Sequence, residues 1–383
     1  SDVCSSDLGS GRAVLRVEDA ALLAGRGEFT DDLTAAGQTH MVFLRSPFAH
    51  ARIGSIDVAA ARAMPDVLAV FTGAELALAG VKPIPPVAGF PRTGGAPAES
   101  APYRALAHEV VRFVGETVVA VVAQSLDAAR NAAEAVVIDY EELPAVADPV
   151  QAAAAGAPAV WPKAPDNIAA EMRHGDAAAT AQAFASAAHT VSLELVNQRL
   201  APSPLEPRSV RAEVDAATGR LQVRLSSQMP TGLRQSLVDA IPGLAVEQVR
   251  VTVGDVGGGF GMKTGVYPED IVVAYAALAL KRPVKWQADR SEEFLSGGHG
   301  RDVISRAEMA LDANGRVLAL RVRSLANVGA YATMVGVVIQ VLIGPWVSTS
   351  IYDIKTIDLH FSAVMTNTTP TGAYRGAGRP EAI

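Results

Sequence analysis

The chain has 383 residues, of which 49% are hydrophobic and 19% are charged, and its formal net charge is −7. This composition is typical of two or three globular domains and excludes a disordered chain. The acidic balance without a basic patch argues against nucleic acid as a partner. The single cysteine, Cys4, excludes a disulfide framework and an iron–sulfur cluster within the chain.

The first residues show no basic segment followed by an apolar one, so no secretory signal is predicted and a cytoplasmic location is expected. Residues 1–13 are interpreted as a non-native or disordered tail. Residues 324–352 carry no charge and could span a bilayer, but they include Asn327, Gln340 and Pro345. They are therefore interpreted as a buried core segment, and no membrane span is expected.

The next part of the chain predicts an α/β domain over residues 14–147, with a long Pro/Gly-rich loop between two groups of elements. Ser125 is a plausible N-cap for the alanine-rich helix that follows it. Strands are predicted at 39–44, 67–72, 117–123 and 136–140, helices at 58–63 and 126–135, and the loop at 82–102. The last three elements before residue 147 form a predicted β-α-β unit.

Residues 148–166 resemble a linker in composition, and residues 167–383 are predicted to form a second domain, which gives an α+β fold overall. A turn at 216–219 predicts a hairpin, and Pro268 suits the start of a helix. Strands are predicted at 191–196, 209–214, 221–225, 249–253, 284–287 and 317–322, and helices at 231–240 and 269–280.

The most informative motif is the glycine loop after the strand at 249–253, which leaves backbone amides uncovered by side chains. Such a loop lets an anionic group approach the main chain. It fails both common phosphate motifs, because Met262 stands before Lys263 and no glycine occupies 262 or 264. A nucleotide-binding module using residues 257–263, or a simple strand-to-helix turn, remains an alternative.

Two further segments carry candidate chemistry. Gln228 ends a strand, where its amide could donate and accept hydrogen bonds, although a solvated loop glutamine would look the same. A second glycine loop at 373–381 contains Arg375 and Arg379, and arginine suits anions. A surface turn with a salt bridge is the plain alternative for that loop.

Together these segments resemble the molybdopterin-binding large subunit of the xanthine dehydrogenase, aldehyde oxidase and carbon monoxide dehydrogenase family. The resemblance covers nearly all of residues 16–383. In the N-terminal part, residues 25–33, 40–51, 115–116 and 139–144 are similar to the family's hammerhead domain. In the second part, residues 255–263, 289–293 and 373–381 are similar to its first molybdenum-cofactor domain.

The resemblance implies roles for particular residues. Gln228 would hydrogen-bond an oxo ligand of the metal, and no residue would bind molybdenum directly, because the pterin dithiolene does so. Residues implied to lie against the cofactor are Gly257, Gly258, Gly259, Phe260, Gly261, Tyr374, Arg375 and Gly376.

The same resemblance implies hydroxylation of an aldehyde or aromatic N-heterocycle with water as the oxygen source. The expected cofactor is molybdopterin with molybdenum, in its cytosine dinucleotide form. Electrons would pass to iron–sulfur and FAD subunits, and the expected assembly is a dimer of heterotrimers.

Departures from the family pattern narrow these expectations. The loop at 374–379 has no cysteine, so no copper is expected. Thr264 stands where purine hydroxylases carry glutamate, and Ile343 aligns loosely with their purine-anchoring arginine, so xanthine is not the expected substrate. The catalytic glutamate is expected beyond Ile383, so the chain should be inactive alone. A non-catalytic scaffold derived from the family is the remaining alternative.

Overall fold

The structure of the chain, a computed structural model, describes residues 15–381 and confirms the α+β class. The predicted tail at 1–13, including Cys4, lies outside the described residues. The N-terminal strands are β1 (Thr39–Arg45), β2 (Ala51–Asp57), β3 (Val67–Thr72), β4 (Val110–Val111), β5 (Thr117–Ala123) and β6 (Val137–Glu142). The later strands are β7 (Ile168–Gly175), β8 (His189–Asn197), β9 (Ser209–Val214), β10 (Leu221–Leu225), β11 (Val249–Thr252), β12 (Val284–Gln287), β13 (Val303–Leu311), β14 (Val317–Gly329) and β15 (Ile357–Met365).

The helices lie on both faces of the sheets and between them. They are α1 (Asp19–Leu23), α2 (Ala59–Ala63), α3 (Gly73–Leu78), α4 (Leu126–Glu134), α5 (Pro149–Ala152), α6 (Ala177–Ser186), α7 (Pro230–Ala240), α8 (Pro268–Leu280), α9 (Arg290–Ser296), α10 (Met334–Val338) and α11 (Gly344–Val347). Short 3₁₀ turns cover Thr30–Asp32, Thr93–Gly95, Val246–Gln248 and Met262–Thr264, and a π-helical turn, Ile339–Ile343, joins α10 to α11.

A seven-stranded sheet with the order β11-β10-β9-β12-β1-β5-β3 combines strands from the N-terminal part and the middle of the chain. Its central contact is the parallel pairing of β1 with β12, in which Thr39 faces Val284. The strands on either side of that contact come from the two predicted domains. The predicted boundary near residue 147 therefore separates segments whose strands share one sheet.

Strand β5 is the buried centre of the N-terminal part of the fold. All seven of its residues are buried, because successive side chains enter hydrophobic cores on opposite faces of the sheet. The Ser125 hydroxyl accepts a hydrogen bond from Ala128 N at 3.1 Å, which confirms the predicted cap of α4. The predicted β-α-β unit is wrong, because β6 pairs with β2 in a separate three-stranded sheet.

A five-stranded sheet with the order β7-β15-β14-β13-β8 forms the second layer. Residues 148–166, predicted as a linker, pack against its core through buried Ala152, Val160 and Ala164. Within 324–352, residues 326–332 are buried as predicted, but Met334 and Val335 are exposed, and Trp346 is 68% and Ile351 92% exposed. Among residues 15–381, no helix is long and apolar enough to cross a membrane.

Buried charges connect the two parts of the chain beneath the seven-stranded sheet. Arg45 Nη2, on β1, lies 2.7 Å from Glu269 Oε1, and Arg208 Nη1 lies 3.1 Å from Glu269 Oε2. Arg208 Nε also lies 3.0 Å from Glu293 Oε2. Burial would raise the pKa of Glu269, but the two guanidinium groups outweigh it and lower that pKa to about 2. All of these carboxylates are therefore held as partners of a buried cation.

Glu116 lies at a second contact between the two parts. Its carboxyl accepts hydrogen bonds from the Tyr331 hydroxyl and, at 2.6 Å, from Arg112 N. The Tyr331 ring stacks on that of Tyr103, with centroids 4.3 Å apart. Burial raises the pKa of Glu116 to about 7, and the two hydrogen bonds offset only part of this effect.

We expect Arg208→Met to lower the free energy of unfolding by about 3–5 kcal/mol, because it leaves the buried carboxylate of Glu293 without its cation and that of Glu269 with Arg45 alone. Urea unfolding of the variant and the wild type measures the difference. Arg52→Met is the matched control, since Arg52 pairs with Glu141 while both side chains are more than 60% exposed. Equal effects of the two substitutions would contradict the structural role given to the buried network.

We expect Glu116→Gln to become progressively more stable than the wild type as the pH rises from about 4.5 to about 7. The folded-state pKa is raised, so over this range Glu116 ionises in the unfolded wild type while it stays protonated in the folded one, which lowers stability; the variant cannot ionise in either state. The relative gain should approach about 3 kcal/mol over this range. Unfolding measured from pH 4 to 8 tests it, with the exposed Glu141→Gln as control; a difference independent of pH would refute it.

Candidate active site

The first glycine loop follows β11 and is held from behind by buried charges. Gly257 N donates to Glu206 Oε2 at 2.8 Å. Lys263 Nζ lies 3.1 Å from the same oxygen and donates to Ser226 Oγ at 2.7 Å. Lys263 is only 2% exposed, and burial lowers its pKa while Glu206 acts in the opposite direction. The ammonium group therefore supports the loop and does not face a ligand on it.

Gln228 sits on the opposite, exposed side of this loop. Its Oε1 accepts a hydrogen bond from Gly261 N at 2.9 Å, and this donor determines which end of the amide faces the loop. The Nε2 group has no partner among residues 15–381, so its N–H groups can donate elsewhere. A Cβ added to Gly259 would lie 2.5 Å from Gln228 Oε1, so any other residue at 259 would displace the end of the Gln228 side chain.

The second glycine loop lies directly against the first. Arg375 N donates to Phe260 O at 2.9 Å, and the Arg375 guanidinium lies 5.9 Å from the centre of the Phe260 ring. A Cβ on Gly261 would lie 2.6 Å from Ala373 O. The structure thus brings together Gln228 and both glycine loops, three segments that are far apart in the sequence.

Several backbone donors at this meeting point have no partner within the described part of the chain. They are the N–H groups of Gly258, Gly259, Phe260 and Gly376. Gly258 and Gly376 have φ values of +104° and +100°, which side chains rarely adopt. Unpaired amides of this kind bind phosphate or oxo oxygens. No cluster of three or more His, Cys, Asp or Glu within residues 15–381 is arranged to hold a metal ion directly.

A cavity of about 330 Å³ opens beside the contact between the loops, and Gly261, Thr264 and Ala373 line one side of it. The rest of the lining is mostly apolar, with the rings of Tyr103 and Tyr267, and no Asp, Glu, Lys, Arg or His from the described residues contributes to it. This composition suits a small uncharged ligand. Ile343 does not line the cavity and lies instead against Gly378 of the second loop.

A larger cavity of about 720 Å³ lies elsewhere, between α4 and α9. Charged residues such as Arg130, Lys285 and Asp289 line it, and it contains no residue of either glycine loop. The smaller cavity is therefore the one associated with the candidate site, because Gly261 and Ala373 of the two glycine loops line it.

Sequence reasoning missed the residues that support the site from behind. Glu206 and Ser226 gave no signal, since their partner Lys263 is distant in sequence from both. Arg301, which donates to carbonyl groups of the second loop, was also missed. The available signal in the sequence was the adjacent Gly300, since glycine often marks a close approach of two segments. In the structure, a Cβ at Gly300 would lie 2.3 Å from Tyr374 Cβ.

Comparison with known families matches the two parts of the chain separately. Residues 24–144 match the a/b hammerhead domain of aldehyde oxidase and xanthine dehydrogenase. Residues 160–383, more than half of the chain, match the molybdopterin cofactor-binding domain.

Individual relatives agree with these matches. The chain is 37% identical to the nicotine 6-hydroxylase large subunit of Paenarthrobacter nicotinovorans, over 96% of this chain and 44% of that protein. It is 35% identical to the carbon monoxide dehydrogenase large chain of Hydrogenophaga pseudoflava, over 82% of this chain and 39% of that protein. The chain thus spans less than half the length of these curated relatives.

Among solved structures, quinoline 2-oxidoreductase from Pseudomonas putida 86 is similar, with a TM-score of 0.87 and 37% identity over 96% of this chain and 46% of that one. The hammerhead match, the cofactor-domain match and this likeness extend across both parts of the described fold. The chain therefore belongs to the aldehyde oxidase and xanthine dehydrogenase family of molybdopterin-binding proteins.

Proposed function

We propose that the chain is the cofactor-binding part of a molybdenum hydroxylase that oxidises an aromatic N-heterocycle or an aldehyde with water as the oxygen source. The observation that carries the proposal is that unpaired hydrogen-bond donors come from three segments in mutual contact, and that Gly261 and Ala373 of the two glycine loops also line an uncharged cavity. Gln228 Nε2, the amides at 258–260 and Gly376 N all contribute. Donors fixed before a ligand binds need no reorganisation to stabilise negative oxygens.

The residues present fit a molybdopterin cofactor. Phosphate and oxo oxygens require donors, and the two loops offer amides where a Cβ would reduce the space. Residues 257–261 would lie against one side of the cofactor, and Tyr374, Arg375 and Gly376 would border its other side. The dithiolene of the cofactor would hold molybdenum, and no side chain of this chain would bind the metal. When bound, the cofactor supplies the two-electron oxidation.

Gln228 would donate from Nε2 to an oxo ligand of the cofactor. Its orientation supports this role, because Gly261 N already occupies Oε1. The loop amides would hold phosphate or oxo oxygens in the same way. The apolar walls beside Gly261 and Ala373 would exclude water and orient a flat ring at the cofactor.

The absence of charged side chains in the cavity supports a neutral substrate. Its volume of about 330 Å³ is near the lower end of ligand pockets, which suits one or two rings. Two relatives are named for nicotine and quinoline, both N-heterocycles. Comparing kcat/KM for quinoline, an aromatic aldehyde and xanthine tests this part of the proposal, and a clear preference for xanthine would refute it.

We further propose that the cofactor is the cytosine dinucleotide form and that no copper is bound. Electrons would leave through separate iron–sulfur and FAD subunits, in a dimer of heterotrimers. The names of the relatives, "large subunit", "large chain" and "complex subunit gamma", support a multisubunit assembly. The lack of cysteine at 374–379 supports the absence of copper.

The nucleotide-binding alternative depends on Lys263 reaching a phosphate. Its Nζ is instead buried against Glu206 and Ser226, which speaks against that alternative. The scaffold alternative is tested by metal content. About one molybdenum per subunit in the protein expressed from its complete gene, with iron present only when other subunits co-purify, supports the hydroxylase. A folded, assembled preparation without molybdenum would reject it.

We expect Gly259→Val to prevent cofactor loading without unfolding the protein. The new Cβ first meets the flexible end of Gln228, which can move, and the branched side chain then fills the ligand face of the loop. Molybdenum per subunit should fall roughly tenfold or more.

Gly54→Val is the matched control for this substitution. Gly54 lies on strand β2, and the nearest atom to an added Cβ is 3.6 Å away. Elemental analysis and thermal unfolding of both variants provide the measurement. A normal molybdenum content in the Gly259 variant would show that the loop does not contact the cofactor.

We expect Gln228→Ala and Gln228→Glu to retain molybdenum but to lower kcat by roughly 10²-fold. The glutamate variant keeps an acceptor for Gly261 N but replaces the Nε2 donor by a charged acceptor oxygen, whereas the alanine variant removes both ends of the amide without adding charge. Gln235→Ala, on the exposed face of α7, is the control. Full activity of Gln228→Glu would show that donation from Nε2 is not needed.

A further inference from the structure

Arg301 lies directly behind the second glycine loop and is only 6% exposed. Its Nη1 donates to Tyr374 O at 2.9 Å, and its Nη2 donates to Arg375 O at 2.8 Å. Nη1 also lies 3.2 Å from Glu381 Oε1, and the guanidinium carbon is 4.8 Å from the centre of the Tyr374 ring. The Arg301 side chain thus holds two consecutive carbonyl groups, contacts the Tyr374 ring and pairs with Glu381 at the end of the loop.

The planarity of the peptide bond makes this contact directional. In a trans peptide the carbonyl and the following N–H point in opposite directions. Because Arg301 holds Tyr374 O, Arg375 N points away from it, and it donates to Phe260 O at 2.9 Å. Because Arg301 also holds Arg375 O, Gly376 N points away from it and meets no partner among residues 15–381.

We infer that Arg301 is the positioning residue that turns the Gly376 amide towards the cofactor, where it donates to a phosphate or oxo oxygen. The inference rests on the proposed function for the identity of the ligand. Arg301 holds both carbonyl groups, and the turn in which Ala377 N donates to Tyr374 O at 2.8 Å supports the first of them. Arg301 itself does not touch the ligand, because its guanidinium faces the opposite side of the loop.

The backbone around Arg301 is held in a conformation that aims its side chain. Arg301 and Asp302 have φ values of +63° and +69°, which non-glycine residues adopt only when their surroundings enforce it. Asp302 N donates to Asn197 O at 3.0 Å, and Arg199 Nε lies 2.7 Å from Asp302 Oδ2. Gly300 permits the close approach to Tyr374. Neighbouring strands and a second arginine therefore fix the direction of Arg301.

Arginine is required at this position because the planar guanidinium can donate to two carbonyl groups at once. Lysine would keep the charge but could orient only one peptide reliably. Methionine would fill similar space without any donor. Comparing Arg301→Lys with Arg301→Met therefore distinguishes the contribution of the charge from that of the side-chain volume. Comparing both with the wild type shows the contribution of the two parallel guanidinium donors.

Residue-resolved hydrogen exchange and molybdenum content test the inference in the protein expressed from its complete gene. In the wild type, Arg375 N should be protected with or without cofactor, and Gly376 N only with cofactor. In Arg301→Met, protection of Arg375 N should fall about tenfold or more and molybdenum content should fall similarly. Arg301→Lys should be intermediate, and amides at 257 and 261 should stay protected in both variants.

Arg92→Met is the matched control, because the partly buried Arg92 also holds a carbonyl group, Ile168 O at 2.7 Å. It should show normal molybdenum content and unchanged exchange at 375 and 376, despite a similar loss of thermal stability. Unchanged protection of Arg375 N in both Arg301 variants would overturn the inference, whatever the metal content. If the wild-type protein contained no molybdenum, the proposed function would be rejected. Hydrogen exchange at Arg375 N would then still decide whether Arg301 positions the second loop.

Discussion

The candidate site depends on backbone groups that are satisfied on one side and left unpaired on the other. Short glycine-rich loops have many accessible conformations, so a loop that presents several unpaired amides to a ligand in fixed directions needs strong contacts behind it. Lys263 and Glu206 provide these for the first loop, and Arg301 provides them for the second. In both cases a buried cation binds carbonyl or carboxylate oxygens, and the N–H groups remain free.

The same principle explains why so many charges are buried near the site. The contacts of Arg45 and Arg208 with Glu269 join a strand from the N-terminal part to helix α8, which begins a few residues after the first loop. Buried ion pairs of this kind contribute little net stability compared with apolar packing. They do specify one relative position of their elements, because a displaced pair would leave a buried charge without its partner.

The division between support and recognition also accounts for the uncharged cavity. Lys263 and Glu206, two charged residues close to the first loop, form an ion pair with each other behind that loop. The cavity itself is lined by glycine, apolar side chains, hydroxyl groups and aromatic rings. A neutral ring could therefore approach the proposed site without desolvating a charge of the protein.

Much of this protein could be predicted from local patterns in the sequence. The buried strand at 117–123, the Ser125 cap and the helix beginning at Pro268 follow from short-range rules and are present as predicted. Strand β13 was missed because Arg306 and Glu308 interrupt its apolar pattern; on the sheet they face the other charged side chains of β14. Strand β14 was predicted too short, since the buried Asn327 inside it forms hydrogen bonds that the sequence does not reveal.

The sequence by itself determined the α+β class, the family and the two glycine loops, because glycine and its neighbours have local conformational consequences. Only the tertiary structure decided that these loops touch, that Lys263 turns inward and that Arg301 lies behind the second loop. Each of those features joins residues more than 30 positions apart, and their side chains meet only after the sheets have formed. The direction in which an unpaired amide points is therefore a property of the fold.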